Sequence, residues 1–289
     1  MPAAGWGPPG PDRPDARRGG ARHGLATRGY QDSPGRREQD VTVSWTVIVP
    51  VKRLDTAKTR LRGVLSVQQS GRTADPVESL SRQRDHEALV LAMALDTVAA
   101  ALGSPIVGRV VVVTTDEVAA SEASLLGAEV VADVPESGLN PALAYAAAEV
   151  RRAGTGIDPG VAAIAADLPA LRPDELTEAL RLAEDVARES GPPGLTRSFV
   201  ADAAGTGTVL LAAPPGAVLE PCFGAGSAAA HRASGAIPLS GVWPGLRRDV
   251  DTPADLAEAF VVGVGPRTAA AAQRSQEPHL PPSSAEMVA

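Results

Sequence analysis

Trp45-Thr-Val-Ile-Val-Pro-Val51 is apolar or β-branched at every position and leaves no polar face for solvent. A strand of this kind is covered on both sides, which is the habit of parallel sheets flanked by helices. The residues that follow keep to that plan. Residues 87–101 form an Ala/Leu-rich helical stretch, Arg109-Val-Val-Val-Val-Thr-Thr115 a second strand, and residues 117–126 a second helix. Ala128-Glu-Val-Val-Ala132 and Gly160-Val-Ala-Ala-Ile-Ala-Ala166 read as strands on either side of a helix over 141–152. After Pro173 a helix to Glu189 carries Leu176, Leu180, Ala183 and Ala187 along one stripe. The order predicts an α/β fold of three layers, a mostly parallel sheet flanked by helices.

From 190 to 245 the composition shifts to Gly and Pro, with strand-like pieces at 198–201, 208–213 and 236–239. These predict a small antiparallel insertion on the same sheet. A helix over 253–261 closes the fold, with Asp251 and Thr252 as cap candidates and Pro253 in its first turn. The segment 66–84, rich in Ser and Gln, reads as a surface loop.

Residues 1–40 mix Gly, Pro, Arg and Asp without apolar periodicity, and 265–289 are again patternless. Such segments bury too little surface to offset their ordering entropy. The expected organisation is a disordered leader at 1–40, one domain over 41–264 and a disordered tail at 265–289. The leader has no apolar run of the secretory kind, and its five acidic residues set it apart from a transit peptide. The best membrane candidate, residues 88–107, is interrupted by Asp96 and by Gly103-Ser104-Pro105. A cytoplasmic protein with no membrane partner is expected.

The 289 residues hold 27 Lys+Arg against 34 Asp+Glu, a net charge of −7, which argues against a nucleic-acid binder. The sole cysteine, Cys222, excludes an internal disulfide and a cysteine-cluster zinc site, and indicates a reducing compartment. With only eight aromatic residues the core must be aliphatic. Polar types are used unevenly: 25 of the 27 cations are Arg, the two lysines are Lys52 and Lys58, and Asn140 is the one asparagine. In a chain so biased, the exceptions are candidate chemistry.

Ligands of open α/β sheets sit beyond the carboxyl ends of the strands. Both lysines fall there, in Pro50-Val-Lys-Arg-Leu-Asp-Thr-Ala-Lys-Thr-Arg-Leu61. A fixed cationic loop at that place suits a triphosphate. A solvated basic loop is the alternative, and lysine where the chain otherwise writes arginine favours the triphosphate. Asp167 ends an apolar strand in Ala165-Ala-Asp-Leu-Pro-Ala-Leu171, where a hard oxygen donor suits Mg²⁺, although a turn before Pro169 would also explain it. Asp249 and Asp251, two apart on an extended segment, point the same way and could complete a metal site. Asp251 is equally explained as a helix cap.

Asn140 precedes a helix, where its amide could read a base or ribose or simply cap the helix. Glycines beside hydroxyls in Asp202-Ala-Ala-Gly-Thr-Gly-Thr208 and Phe223-Gly-Ala-Gly-Ser227 let backbone amides approach an anion, and Ser227 could open a helix suited to phosphate. Cys222 reads as a small buried thiol and His231 as a loop histidine. No Walker A pattern and no Gly-x-Ser-x-Gly elbow is present, which disfavours a P-loop NTPase and a serine hydrolase.

Taken in order, these motifs resemble the CofC/FbiD family of guanylyltransferases. The carrying segments are V-K-R-L-D-T-A-K-T-R-L at 51–61, A-D-L-P-A-L at 166–171, S-F-V-A-D at 198–202, G-T-G-T at 205–208, F-G-A-G-S at 223–227 and W-P-G-L-R-R-D-V-D-T-P-A-D-L at 243–256. The resemblance implies a fold of the nucleotide-diphospho-sugar transferase (GT-A/MobA-like) type. It also implies transfer of GMP from GTP to phosphoenolpyruvate or 2-phospho-L-lactate, for assembly of the deazaflavin coenzyme factor-420. Thr208, Gly224 and Ser227 match the positions that hold phosphoenolpyruvate, and Asp167 and Asp249 match the Mg²⁺-linked acids. With Lys52 and Lys58 these aspartates form the implied catalytic set, and hand-off of the labile diphosphate product to the next transferase is expected. Ala166 departs from the glycine common in relatives. The rival readings are another nucleotidyltransferase of the same fold, acting on a molybdopterin or a sugar phosphate, and a non-catalytic nucleotide-binding protein.

Overall fold

Strand β1 (Trp45–Pro50) forms the centre of the sheet because nothing on it asks for water: Val47, Ile48 and Val49 are wholly buried. The computed structural model describes residues 44–54, 76–133, 138–153, 159–190 and 195–275. Helix α1 (Pro76–Leu102) follows, then β2 (Val107–Val113), α2 (Glu117–Leu125), β3 (Glu129–Val131), α3 (Leu139–Ala153), β4 (Gly160–Ile164) and α4 (Pro173–Glu189). The chain continues through β5 (Ser198–Ala201), β6 (Thr208–Ala213), α5 (Ser227–Ala233), β7 (Ile237–Pro238), α6 (Pro253–Val262) and α7 (Pro266–Arg274).

The seven strands lie in the order β3-β2-β1-β4-β6-β5-β7. β1 pairs in parallel with β2 and β4, and β2 with β3, while β6 runs antiparallel to both β4 and β5. β6 is therefore the single reversed strand, which is the expected small antiparallel insertion. Its reversal has a functional consequence: the amino end of β6, at Thr208, lies at the same edge as the carboxyl ends of β1, β4 and β5.

Two aliphatic layers sandwich the sheet. Val47, Val49 and Val112 pack with Val98 of α1, Ala123 of α2 and Leu180 of α4 on one face. Ile48, Val111 and Ala163 pack with Leu143 and Ala147 of α3 on the other. A third cluster joins Met93 of α1 to Leu256 of α6 and Ala272 of α7.

Two sequence expectations are corrected. The loop expected over 66–84 is helical from Pro76 onward, where α1 begins eleven residues before Glu87. The patternless tail expected from 265 instead opens with α7, so the domain runs past the expected limit at 264. Pro266 stands at its first position, and the Asp96 carboxylate of α1 accepts from the backbone amides of Arg267 (3.3 Å) and Thr268 (2.8 Å). Its cap thus comes from more than 170 residues away. The leader at 1–40, Lys58 and the rest of the tail lie outside the described residues.

Candidate active site

The turn after β1 is tied at both ends. Val51 N–H donates to Val113 O (2.9 Å), and Leu54 N–H to the carboxylate of Asp116 (3.1 Å), which also caps α2 through the amides of Val118 and Ala119. Lys52 and Arg53 stand exposed between these anchors, at the carboxyl edge of the sheet.

Asp167 follows β4 at the same edge, half-buried. Thr97 of α1 grips both sides of it: the wholly buried hydroxyl lies 3.1 Å from Ala166 O and accepts from Leu168 N–H at 3.1 Å. The Asp167 carbonyl accepts from Val250 N–H (3.0 Å), which brings the 249–251 segment alongside. Burial and the neighbouring carboxylates of Asp167, Asp202 and Asp251 push the Asp249 carboxyl up to about 6.

Asp202, just after β5, is a further carboxylate of this edge. Its carboxylate accepts from Thr206 N–H (2.9 Å) and Gly207 N–H (2.8 Å) and so folds the G-T-G-T turn. The rule that singles out Asp167, the first carboxylate after a strand, finds Asp202 as well. Arg247 is committed to backbone, donating to Ala201 O (3.1 Å) and Asp202 O (2.9 Å).

Asp251 is exposed, and the cap of α6 is Thr252, whose side chain accepts from Asp255 N–H in a reciprocal capping box. The cap alternative for Asp251 therefore passes to its neighbour. Among the described residues no three His, Cys, Asp or Glu side chains form a ready metal cage. The donor chemistry nevertheless fits Mg²⁺: the like charges gathered at this edge raise the Asp249 pKa, and Mg²⁺ is commonly held by one or two carboxylates with substrate phosphates and water.

The neighbouring part of the edge is built from hydroxyls and backbone amides. Thr208, at the start of β6, is buried, and Ala228 N–H donates to Thr206 O (3.1 Å), docking the start of α5 on the G-T-G-T turn. Gly224 (φ 133°) and Gly226 (φ 70°) hold left-handed conformations that side chains disfavour, so Phe223-Gly-Ala-Gly-Ser227 can close tightly before Ser227 opens α5. Thr208, Gly224 and Ser227 are brought into this one neighbourhood.

Asn140 belongs to it too. Its amide donates to Phe223 O (2.9 Å) and accepts from Phe223 N–H (2.7 Å), pairing with backbone 83 residues away. The helix-capping alternative for Asn140 is corrected, because Asn140 lies inside α3 and its amide clamps the 223–227 loop. His231 is corrected as well: it is a fully buried residue of α5, not a loop histidine. Cys222 is only half-buried, and its backbone N–H donates to His231 Nε2 (2.9 Å).

Residues 45–211 match the family model described as "Guanylyl transferase CofC like". The chain belongs to this family. It is 52% identical over 229 residues to a phosphoenolpyruvate guanylyltransferase of Salinispora arenicola, covering 79% of this chain and 94% of that one. It is 50% identical over 233 residues to one of Streptomyces avermitilis (80% and 95% covered) and 45% over 225 residues to one of Mycolicibacterium paratuberculosis (78% and 90%). Among solved structures, a nucleotide-diphospho-sugar transferase of Desulfovibrio desulfuricans G20 superposes with a TM-score of 0.53 at 14% identity, covering 80% of this chain and 94% of that one. That likeness is one of fold, and it agrees with the fold type that the family resemblance implies. Membership of the guanylyltransferase family makes the chain a nucleotidyltransferase.

Proposed function

We propose that the chain transfers GMP from GTP to phosphoenolpyruvate, giving enolpyruvyl-diphospho-guanosine and pyrophosphate for deazaflavin coenzyme assembly in the cytoplasm. The observation that carries this reading is the presence, at one sheet edge, of a cationic turn, a group of carboxylates and a neighbourhood of hydroxyls and backbone amides. A triphosphate needs the first two, and a small carboxylated phosphate ester suits the third. Its relatives' shared name points to the same acceptor.

In the reaction a phosphate oxygen of phosphoenolpyruvate attacks the α-phosphorus of GTP in line. The new P–O bond forms as the bond to the β-phosphate bridging oxygen breaks, and pyrophosphate leaves with that electron pair. No covalent enzyme intermediate is needed, so the protein works by positioning and charge. Lys52, with Lys58, offsets charge on the triphosphate. Asp167 and Asp249, aided by Asp251, would hold Mg²⁺, which when bound neutralises and templates the phosphates. Thr208, Gly224 and Ser227 hold the acceptor, Asn140 fixes their loop, and the labile product is suited to direct hand-off to a following transferase.

The test is pyrophosphate release with GTP, CTP or ATP, each paired with phosphoenolpyruvate, 2-phospho-L-lactate or 3-phosphoglycerate. Turnover with GTP and phosphoenolpyruvate is expected to exceed every other pair. Preference for another nucleotide, or for 2-phospho-L-lactate, would overturn the assignment.

A further inference from the structure

His231, fully buried in α5, has both ring nitrogens engaged. Nε2 receives the backbone N–H of Cys222 at 2.9 Å, and Nδ1 lies 2.9 Å from Thr208 Oγ1. A backbone N–H can only donate, so Nε2 must present its lone pair. A neutral imidazole carries one proton, which is therefore on Nδ1. Nδ1–H then donates to Thr208 Oγ1, and the hydroxyl must turn its own hydrogen elsewhere. Among the described residues Thr208 Oγ1 makes no other hydrogen bond.

The neutral state is enforced. Burial, then the positive charge of Arg197, lowers the His231 pKa to about 4, against a smaller opposing effect from the Ser227 backbone. Arg197 is itself held near the ring by Ser234 and Glu220. Phe223 meets the ring edge-on at 5.1 Å between centroids, and Phe199 packs on it at 5.9 Å. The imidazole is thus fixed in place, in charge and in tautomer.

We propose that His231 is a positioning residue that aims the Thr208 hydroxyl hydrogen at an anionic oxygen of the acceptor. The inference rests on the assignment of phosphoenolpyruvate to this neighbourhood. An unheld threonine hydroxyl rotates and can present either a lone pair or its hydrogen. One held by Nδ1–H has a lone pair already occupied, so its hydrogen is free to point outward. The same histidine, through Cys222 N–H, steadies the segment leading into the Phe223–Ser227 loop. One side chain therefore couples the two segments that would contact the acceptor.

Two readouts test this. The first is the ring tautomer of His231 in the full-length wild-type protein, from long-range ¹H–¹⁵N correlation spectra. The Nδ1–H form is expected, and an Nε2–H or doubly protonated ring at pH 7 would overturn the inference whatever the activity. The second is a pair of substitutions. His231→Asn places an amide nitrogen near the Nδ1 position and retains donation to Thr208, whereas His231→Gln reaches the Nε2 position and loses it.

His231→Gln is expected to raise KM for phosphoenolpyruvate about 10- to 100-fold, the range for one hydrogen bond to a charged acceptor. KM for GTP should stay within about 2-fold of wild type in both variants, a margin no larger than the spread for a well-isolated contact, and the rise in KM for phosphoenolpyruvate should be smaller in His231→Asn, which loses only the Cys222 contact, than in His231→Gln. Equal rises in both variants, or a matching rise for GTP, would mean that the ring is only scaffold and would overturn the proposal. Failure of the wild type to use phosphoenolpyruvate at all would remove the assigned function and this role with it, an outcome distinct from a wrong tautomer in an active enzyme.

Discussion

The two halves of the active edge solve different electrostatic problems. Around β1 and β4 the groups are charged and partly open to water: Lys52 is exposed, and Asp249 is pushed up to about 6 by burial and by neighbouring acids. Around β5, β6 and α5 the groups that face the edge are hydroxyls, an amide and a neutral imidazole, tightly bonded, with His231 and Thr208 buried and Asn140 making two hydrogen bonds to a loop. Charge suits a triphosphate that changes during the reaction. A preformed set of neutral groups suits an acceptor that must be held in one orientation, since its donors need no reorganisation when the anion arrives.

If the halves are separable in this way, substitutions in one should spare the other. Between the two halves the larger effect is expected for Lys52→Ala, which should lower kcat/KM for GTP about 100-fold by removing fixed positive charge from the triphosphate. KM for phosphoenolpyruvate, measured at saturating GTP, should hardly move, and an equal loss for both substrates would break the comparison. Asn140→Ala is expected to do the reverse, raising KM for phosphoenolpyruvate about 10-fold as the Phe223 backbone loses two partners. Initial-rate kinetics with each substrate varied in turn would show it.

Linkage sharpens the contrast further. His231 has a folded pKa near 4, below the 6.5 of a free imidazole, so its contribution to stability is present above pH 6.5 and lost as pH falls through 4. His231→Asn should flatten that acid-side slope by about 2 kcal/mol in urea melts between pH 7 and 4. Asp249 behaves oppositely: its folded pKa is about 6 against 3.8. Its contribution is full below pH 3.8 and lost as pH rises through 6. In chelator-treated protein at pH 7, Asp249→Asn should therefore gain about 1 kcal/mol, a figure reduced for the half-exposure of the group. Thermal melts with and without Mg²⁺ would check this, and a loss of stability in the chelated protein would contradict the like-charge account.

The strands were legible because burial on both faces leaves the same mark on any sequence, as Val47-Ile-Val49 and Val110-Val-Val-Val113 do. The first acids after strands were legible for the related reason that the sheet edge follows from strand direction. Asn140 and His231 were misread because what defines them is a partner remote in sequence, Phe223 for one, and Thr208 and Cys222 for the other. Helix α7 escaped for the same cause, since its cap is Asp96 on α1. The lysine rarity remains informative at Lys52, which lies at the anchored turn. The asparagine rarity marked a working residue but not its work.

The measurement that bears most directly on the whole account is pyrophosphate release from GTP and phosphoenolpyruvate by Asp167→Asn at saturating Mg²⁺. The account predicts a loss of about 100-fold or more, the scale on which removing a fixed electrostatic contact slows such a transfer, in a protein that melts like the wild type. A wild-type rate would contradict it.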